Sequence, residues 1–321
     1  MKMVNLKKIS QNFLSPLKER EKEVILRRFG LFGRERETLE TIGKDFGVCR
    51  ERIRQIEKAA LEKIKKYKKG KEKIFKVIFA EFKRRGGVRS EEALISEEGR
   101  EIIFLLNLGE KFKRMKGDEK FSPFWTIGKN YYLKLKRFCA NLVKYFRKEK
   151  KLLKFEQISK IFKIKKEILS SYLEISKLVK ANEEGYFGLV SWPEITPRGV
   201  KDKAYLVLKK IQKPLHFTEI AAKIKGAKVE TVHNELIRDS RFVLVGRGIY
   251  ALAEWGYWPG ELKDIILKIL KEKGPMTREE ILEEVKKQRI VKPSTVHLYL
   301  YNKNYFERDS QGRYRPKPKI A

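Results

Sequence analysis

A helical repeat of apolar residues runs through residues 50–64. Its members are Ile53, Ile56, Ala60, Leu61 and Ile64. Residues three or four positions apart share one face of an α-helix, so this repeat predicts a helix with a buried stripe. The other face carries Arg50, Glu51, Arg54, Gln55 and Lys58. Two further helical stretches precede it at 17–31 and 38–46, and together they predict the layout of a helix-turn-helix.

The polar face of the predicted third helix carries groups that can read base pairs. Arg can bridge guanine O6 and N7, Gln can bridge adenine N6 and N7, and Glu can accept from cytosine N4. Residues near the N-terminus of a recognition helix are the ones that reach base edges. A solvated helix face is the competing interpretation, because mixed Arg and Glu stabilise a helix by only a few tenths of a kcal/mol per pair.

The segment 48–57, Val-Cys-Arg-Glu-Arg-Ile-Arg-Gln-Ile-Glu, together with the two upstream helices, resembles region 4 of the sigma-70 family. The resemblance implies that the segment reads a −35 promoter element in double-stranded DNA and contacts the β-flap of the RNA polymerase core. It implies base contacts for Arg50, Glu51 and Gln55, and basic positions near the groove for Arg52 and Arg54. Lys58 completes the predicted DNA-binding set on this helix.

One position departs from the family pattern at the start of the predicted recognition helix. Cys49 stands where the family usually has Ser or Thr, whose hydroxyl caps the helix N-terminus. A thiol is a weaker acceptor, so we expect a poorer cap here. The sequence also contains nothing that resembles sigma regions 2 and 3, which recognise and melt the −10 element. We therefore expect that the chain cannot open a promoter alone.

The charge balance favours a polyanionic partner. The chain has 76 Lys and Arg against 42 Asp and Glu in 321 residues, a formal net charge of +34. Nucleic acid is the commonest polyanion for such a protein. No apolar run approaches the length of a bilayer span. Cys49 and Cys139 lie far apart in the sequence, so we expect no disulfide framework and a cytoplasmic, nucleoid-associated protein without a membrane partner.

The second half of the chain contains an internal repeat. Thr231-Val232-His233 is followed by Phe242, Gly248 and Tyr250, and Thr295-Val296-His297 is followed at the same spacings by Phe306, Gly312 and Tyr314. In the first copy the pattern predicts three helices, at 203–211, 218–224 and 229–239. Two short strands joined by a turn at 246–248 follow them. Three helices followed by a β-hairpin are typical of a winged helix.

The first copy also resembles the HARE helix-turn-helix domain, through residues 213–220 and 241–252. This resemblance implies association with DNA or with RNA polymerase. Degenerate copies are predicted at 70–130, with wing strands at Phe112 and 121–127, and at 131–192, with 167–179 in the recognition position. Residues 192–199, which contain two prolines, predict an extended linker.

The fold class expected from these patterns is mainly α, with tandem helix-turn-helix and winged-helix modules and short β-hairpin wings. The predicted division is 1–69, like region 4; 70–130, a degenerate winged helix; 131–192, a winged helix; 200–255, the HARE-type winged helix; and 259–317, the second copy of the repeat.

Basic residues at the predicted wings complete the candidate DNA-binding set. They are Arg241, Arg247 and Arg313, which can reach phosphate or a minor groove unless they are simply solvated. The basic runs 63–73 and 144–154 are either solvated helix ends or phosphate contacts. His216, His233 and His297 have no neighbouring ligands at metal spacing, so we expect no metal and no cofactor.

Three functions from different classes remain open. The first is a transcription factor that reads a −35-like element and associates with RNA polymerase. The second is a delta-like accessory subunit of RNA polymerase or a non-specific nucleic-acid-binding protein, in which the HARE-like part matters most. The third is a nuclease, because HARE-like modules accompany restriction enzymes. The sequence offers no fitting PD…ExK carboxylate pair, GxSxG or HExxH, so we expect no enzyme.

Overall fold

The structure, a computed structural model, describes residues 5–67 and 71–317. Within these residues it is mainly helical with small antiparallel sheets, which confirms the expected fold class. The chain divides into two units, 1–191 and 192–321.

The first unit begins with four helices whose ends follow from local chemistry. They are α1 (Leu6–Leu14), α2 (Glu19–Phe29), α3 (Leu39–Asp45) and α4 (Arg50–Lys66). Asn5 caps α1, because its Oδ1 accepts from the amide of Lys8 at 3.0 Å. Thr38 caps α3 in the same way, and Gly30 ends α2 with a φ of 62°. The predicted third helix is therefore α4.

Two further groups of elements complete the first unit. The first group is α5 (Lys71–Arg84), β1 (Val88–Ser90), α6 (Glu91–Glu98), α7 (Glu101–Leu108), β2 (Lys113–Met115) and β3 (Phe124–Thr126). The second group is α8 (Lys129–Glu149), β4 (Leu153–Lys154), α9 (Phe155–Ile161), α10 (Lys166–Ile175), β5 (Val179–Ala181) and β6 (Tyr186–Leu189).

The second unit contains the two copies of the sequence repeat. The first copy is α11 (Gly199–Ile211), β7 (Leu215–His216), α12 (Phe217–Ala222), α13 (Val229–Arg238), β8 (Phe242–Gly246) and β9 (Ile249–Leu252). The second copy is α14 (Leu262–Lys273), α15 (Arg278–Lys286), α16 (Pro293–Leu300), β10 (Phe306–Arg308) and β11 (Tyr314–Pro316).

The groups share one topology. In three of them the last strand lies between the other two, in the orders β1-β3-β2, β4-β6-β5 and β7-β9-β8. In the second copy of the repeat a single bridge from Met276 to Tyr314 takes the place of the first strand. Helix, strand, two helices and a hairpin are the order of a winged helix. The domain division itself stays a prediction, and its boundary at 69 and 70 lies outside the described residues.

The apolar cores run through both groups of the first unit. One cluster joins α1, α2 and α4 to α5 and α7, and includes Leu14, Ile64, Ile78 and Leu105. Another cluster joins Val88 of β1 to Tyr172 and Ile175 of α10. The two copies in the second unit each have a separate cluster. The described residues of the first unit therefore share apolar clusters between groups rather than forming isolated modules.

Several local predictions need correction. The predicted extended linker at 192–199 is wrong, because the amides of Ile195 and Thr196 both donate to the carbonyl of Trp192 and form a turn. Phe112 precedes β2 instead of lying in it. The helix predicted at 203–211 begins at Gly199. The two-residue strands β4 and β7 were missed, because so short a strand leaves no alternation to detect.

Candidate nucleic-acid interface

The turn before α4 sets the angle at which this helix leaves the protein. Val24 of α2, Ile42 of α3 and Ile53 of α4 are fully buried against one another. A Cβ on Gly43 would lie 2.7 Å from the carbonyl oxygen of Val48, so a larger side chain would push the turn away from α3. Gly47 has a φ of 64°, which glycine adopts without strain. These contacts form a helix-turn-helix.

A network of partly buried ion pairs joins α2 to the following loop and to α3. The Arg27 guanidinium donates to Glu37 Oε1 at 2.7 Å and also pairs with Asp45. The hydrogen bond from Arg27 holds the pKa of Glu37 below its usual value. The hydrogen bonds from Glu37 and Asp45 in turn raise the pKa of Arg27. Arg27 therefore positions the helices that carry α4, a role that the sequence reasoning missed.

Helix α4 buries the predicted stripe and exposes the predicted polar face. Ile53, Ala60 and Ile64 are fully buried, whereas Ile56 and Leu61 are half-buried. All six candidate residues on α4 are exposed, namely Arg50, Glu51, Arg52, Arg54, Gln55 and Lys58. The burial pattern predicted for this helix is confirmed. Its base contacts stay a prediction.

Two of the exposed arginines are held by neighbours on α4. Arg54 donates from Nε and Nη2 to the two carboxylate oxygens of Glu51, at 2.8 and 2.6 Å. This pairing lowers the pKa of Glu51. Arg52 Nη1 donates to Gln55 Oε1 at 3.1 Å. Arg50 and Lys58 have no ion-pair partner among the described residues. The face thus presents three guanidinium groups, one ammonium group, one carboxamide and one carboxylate to solvent.

Cys49 is the residue immediately before α4. Its backbone is extended, with a φ of −69° and a ψ of 156°, as expected at an N-cap. Its side chain accepts no capping hydrogen bond. The poorer cap that we expected at this position is confirmed.

Residues 13–66 match the family model described as Sigma-70, region 4. They are a sigma-70 region 4 domain. Among the relatives that match this part of the chain are three bacterial sigma factors. The RNA polymerase sigma factor SigA of Bacillus sp is 52% identical over 60 residues, which are 19% of this chain and 16% of that protein.

The RNA polymerase sigma factor RpoS of Coxiella burnetii is 44% identical over 62 residues, 19% of this chain and 18% of that protein. The RNA polymerase sigma factor RpoD of Helicobacter pylori is 50% identical over 62 residues, 19% of this chain and 9% of that protein. The chain thus spans less than a fifth of each of these relatives. Region 4 is a DNA-binding domain rather than a catalytic one. The HARE-type assignment of 200–255 stays a prediction.

Beyond the region 4 domain, two of the helices in the recognition position are largely buried. On α7 only Asn107 is exposed, and the helix packs against α1 and against α2 and α4 of the region 4 domain. On α10 the residues from Leu169 onward are buried or half-buried, and the helix packs along β1. Helix α10 thus takes the recognition position predicted for 167–179, but most of its length lies in a core, and only Lys166 and Glu167 at its N-terminal end are exposed.

The other two such helices are exposed but carry little base-reading chemistry. The outward face of α13 presents Thr231, Asn234, Ile237 and Arg238, and Arg238 is its one cation. Helix α16 contains neither Lys nor Arg, and Leu298 on its outward face is 71% exposed. Tyr301, just after α16, is 68% exposed. Among these helices the region 4 recognition helix is the most strongly cationic.

The predicted wing arginines occupy three different environments. Arg241 pairs with Asp239 at 2.6 Å and with Asp202 at 2.9 Å, and these partners raise its pKa. Arg313 pairs with Asp309 at 3.2 Å. Arg247 lies exposed at the turn between β8 and β9, with no ion-pair partner in the described part of the chain. Of the three, Arg247 is the most available for DNA, and all three roles stay predictions.

The repeated histidine of the first copy lies in an aromatic stack. His233 stacks on Phe217 with a centroid distance of 4.3 Å, and the ring of His216 is tilted against Phe217 with a centroid distance of 4.5 Å. His216 Nδ1 also lies 2.7 Å from Thr218 Oγ1 at the start of α12. Within residues 5–67 and 71–317, no group of three or more His, Cys, Asp or Glu side chains is arranged to hold a metal ion.

None of the helices in the described part of the chain combines the length and the apolar character that a membrane crossing requires. The basic run 144–154 lies at the end of α8, where Lys144, Arg147, Lys148, Lys150 and Lys151 are exposed. The run 63–73 includes residues 68–70, which lie outside the described residues.

Proposed function

We propose that the protein is a DNA-binding transcription factor whose α4 reads a −35-like promoter element. The observation that carries the proposal is the contrast between α4 and the other helices in the recognition position. Helix α7 is buried, α10 exposes only Lys166 and Glu167 at its N-terminal end, α13 exposes one cation, and α16 exposes none. Helix α4 exposes three arginines, a lysine and a glutamine near its N-terminal end, where base contacts are made.

The predicted role of each residue follows from its side chain. Arg50 and Gln55 contact a guanine and an adenine, and Glu51 accepts from a cytosine. Arg52, Arg54 and Lys58 add charge near the groove edge and the backbone. Glu51 and Arg54 already form a bidentate pair, so the carboxylate and guanidinium are oriented before DNA arrives. Each good base contact contributes about 1–3 kcal/mol of discrimination.

The experiment is a selection of bound sequences from random duplex DNA with the full chain. Wild-type protein should enrich a −35-like sequence. Arg50→Ala/Gln55→Ala should lose this preference and keep salt-sensitive, non-specific binding. The matched control is Arg238→Ala/Asn234→Ala, which removes one guanidinium and one carboxamide from the exposed face of α13. The control should keep the wild-type preference, and equal enrichment by all three proteins would contradict the proposal.

A second proposal concerns RNA polymerase, which the printed names of the relatives mention. We infer that the protein associates with the polymerase core, with the β-flap as the expected contact of the region 4 domain. The alternative form of this proposal is a delta-like accessory subunit, in which the second unit makes the contact with the polymerase. The apolar outward face around α16 favours a protein contact from the second unit, because Leu298 and Tyr301 are highly exposed there.

Capture of purified RNA polymerase core by the immobilised full chain separates the two forms. If the region 4 domain makes the contact, Leu298→Ser/Tyr301→Ser should capture polymerase as well as wild type does. If the second unit makes it, this double variant should lose capture, whereas Arg50→Ala/Gln55→Ala should retain it. Absence of capture by wild-type protein would leave a free DNA-binding protein and remove the polymerase from the proposal.

A further inference from the structure

A polar cavity of about 210 Å³ lies between the region 4 domain and the group of elements that follows it. Four arginines from four different elements line it. They are Arg28 of α2, Arg36 of the loop before α3, Arg100 at the start of α7 and Arg114 of β2. The volume is several times the roughly 30 Å³ that one water occupies in the liquid. The cavity can therefore hold a small polyatomic group.

The carboxylates around the cavity neutralise only half of this charge. Glu57 lies 3.6 Å from Arg28, and Glu91 accepts from Arg114 Nη2 at 2.8 Å. Neither Arg36 nor Arg100 has a carboxylate within ion-pairing distance among the described residues. Two positive charges thus remain without a protein counter-ion in one small cavity.

The electrostatics of Arg36 reflect this excess. Partial burial lowers the pKa of Arg36, and the positive charges of Arg28, Arg114 and Arg100 lower it further, against one raising contribution from Glu91. The side chain nevertheless keeps contact with solvent, so a ligand can reach it. Bringing like charges this close costs free energy, which a bound anion would offset.

We propose that this cavity binds a phosphate group. A phosphate monoester or the end of a pyrophosphate carries about −1.5 to −2 charge at neutral pH, which matches the two arginines without counter-ions. The planar guanidinium donates two parallel hydrogen bonds to phosphate oxygens, and this geometry favours arginine over lysine in such sites. Glu57 and Glu91 stay engaged with Arg28 and Arg114, so their charge is already compensated.

The same chemistry has two possible sources. One is a small phosphorylated compound, and the other is a backbone phosphate of DNA, because Glu57 at the cavity lies on α4 itself. The site is distinct from the base-reading face in either case. Inorganic pyrophosphate tests the first source without DNA, so the outcome does not depend on promoter recognition.

Isothermal titration of the full chain with pyrophosphate is the first arm of the test. Wild-type protein should bind one equivalent saturably, and Arg36→Gln/Arg100→Gln should bind about tenfold more weakly or worse, given the strength of charge-assisted hydrogen bonds. The control is Arg34→Gln, which removes the same charge from the same loop outside the cavity. Arg34 pairs with Glu23 and should not matter for pyrophosphate.

DNA affinity as a function of salt is the second arm. If the phosphate comes from the DNA backbone, pyrophosphate should fail to saturate. The salt slope of the double variant should then fall by about 0.9 for each DNA phosphate that it no longer neutralises, while Arg34→Gln keeps the wild-type slope. The single variant Arg36→Gln is measured in both arms, because Arg36 lies in a loop and its replacement changes no helical residue. Identical behaviour of these variants and Arg34→Gln in both arms would overturn the proposal.

Discussion

Cys49 shows how one side chain limits the stability of the recognition helix. The N-cap geometry before α4 is in place, yet the thiol accepts no hydrogen bond from the helix. Cys49→Ser supplies an acceptor and should stabilise the protein by up to about 1 kcal/mol, the usual size of a cap. Thermal or urea unfolding of both proteins measures the gain.

The other cysteine provides the control for this substitution. Cys139 is 4% exposed within an apolar cluster, and burial raises the pKa of its thiol to about 12. Cys139→Ser places a hydroxyl in that cluster and should destabilise the protein. If Cys49→Ser lowers stability as Cys139→Ser does, the thiol makes a contribution that the cap geometry does not explain.

Glu81 on α5 should make stability depend on acid pH. Its oxygens accept from Arg84 at 2.7 and 2.9 Å and from Arg85 at 2.9 Å, and these bonds lower its pKa from 4.5 to about 2. The stabilisation from ionised Glu81 is therefore fully present above about pH 4.5 and is lost as the pH falls toward 2. Glu81→Gln should flatten the loss of stability in this window, measured by urea unfolding at several pH values.

A glutamate on the same helix provides the comparison. Glu72 is 88% exposed and lies 4.0 Å from Lys76, so Glu72→Gln should keep the wild-type pH profile. A flattened profile in Glu72→Gln, or an unchanged one in Glu81→Gln, would show that other carboxylates govern acid stability.

At the scale of residues, the sequence predicted which side chains are buried wherever helical periodicity alone decides it. The exposed and buried faces of α4 follow from the spacing of Ile53, Ala60 and Ile64. The partners of Arg27 could not be predicted, because Glu37 and Asp45 lie ten and eighteen positions away and approach only after α2 and α3 pack. The four arginines of the cavity share the same difficulty, since they come from four elements.

Helix α7 connects the region 4 domain to the rest of the first unit at the scale of elements. Leu105 is fully buried in the cluster that also contains Leu14 and Ile64. Leu105→Ala should cost about 2–5 kcal/mol, the range for a buried leucine that leaves a cavity. Because the cluster is shared, the region 4 domain should unfold together with α7 in a single transition at lower urea concentration.

Asn107 is the exposed residue of the same helix and supplies the matched substitution. Asn107→Ala removes one side-chain bond to the carbonyl of Ile103 and should change stability by less than about 1 kcal/mol. DNA affinity is measured alongside unfolding. A Leu105→Ala protein that unfolds in two separate steps, with the region 4 step unchanged, would show that α7 does not support α4.

The sequence contains an apolar run that indicates the burial of α7. Residues 102–106 are Ile-Ile-Phe-Leu-Leu, and a helix that is apolar on all sides is a buried one. The winged-helix topology of 70–130 was predicted from wing strands and not from this helix. Burial of α10 against β1 was harder to predict, because its packing surface belongs to another group of elements.

At the scale of the whole molecule, local sequence patterns predict the order of the modules. Packing between elements decides which of their helices are exposed to DNA. Every winged-helix group has a helix in the recognition position, and the sequence alone does not show which of these helices are buried by neighbouring elements. Burial keeps α7 and all but the N-terminal end of α10 out of a groove, and the number of exposed cations distinguishes α4 from α10, α13 and α16. The net charge of +34 is spread over the entire chain and so adds affinity without choosing a sequence.

That separation of affinity from specificity is testable with the basic run at the end of α8. Lys144, Arg147 and Lys151 are exposed and have no ion-pair partner in the described residues. Replacing all three with Ala should weaken binding to every duplex equally and reduce the salt slope by about 0.9 for each DNA phosphate that is no longer neutralised. Filter binding of a selected and a scrambled duplex across a salt series measures both effects. A selective weakening for the selected duplex would instead place these residues in sequence recognition, because hydrogen bonds made only to phosphate oxygens carry no direct information about base sequence.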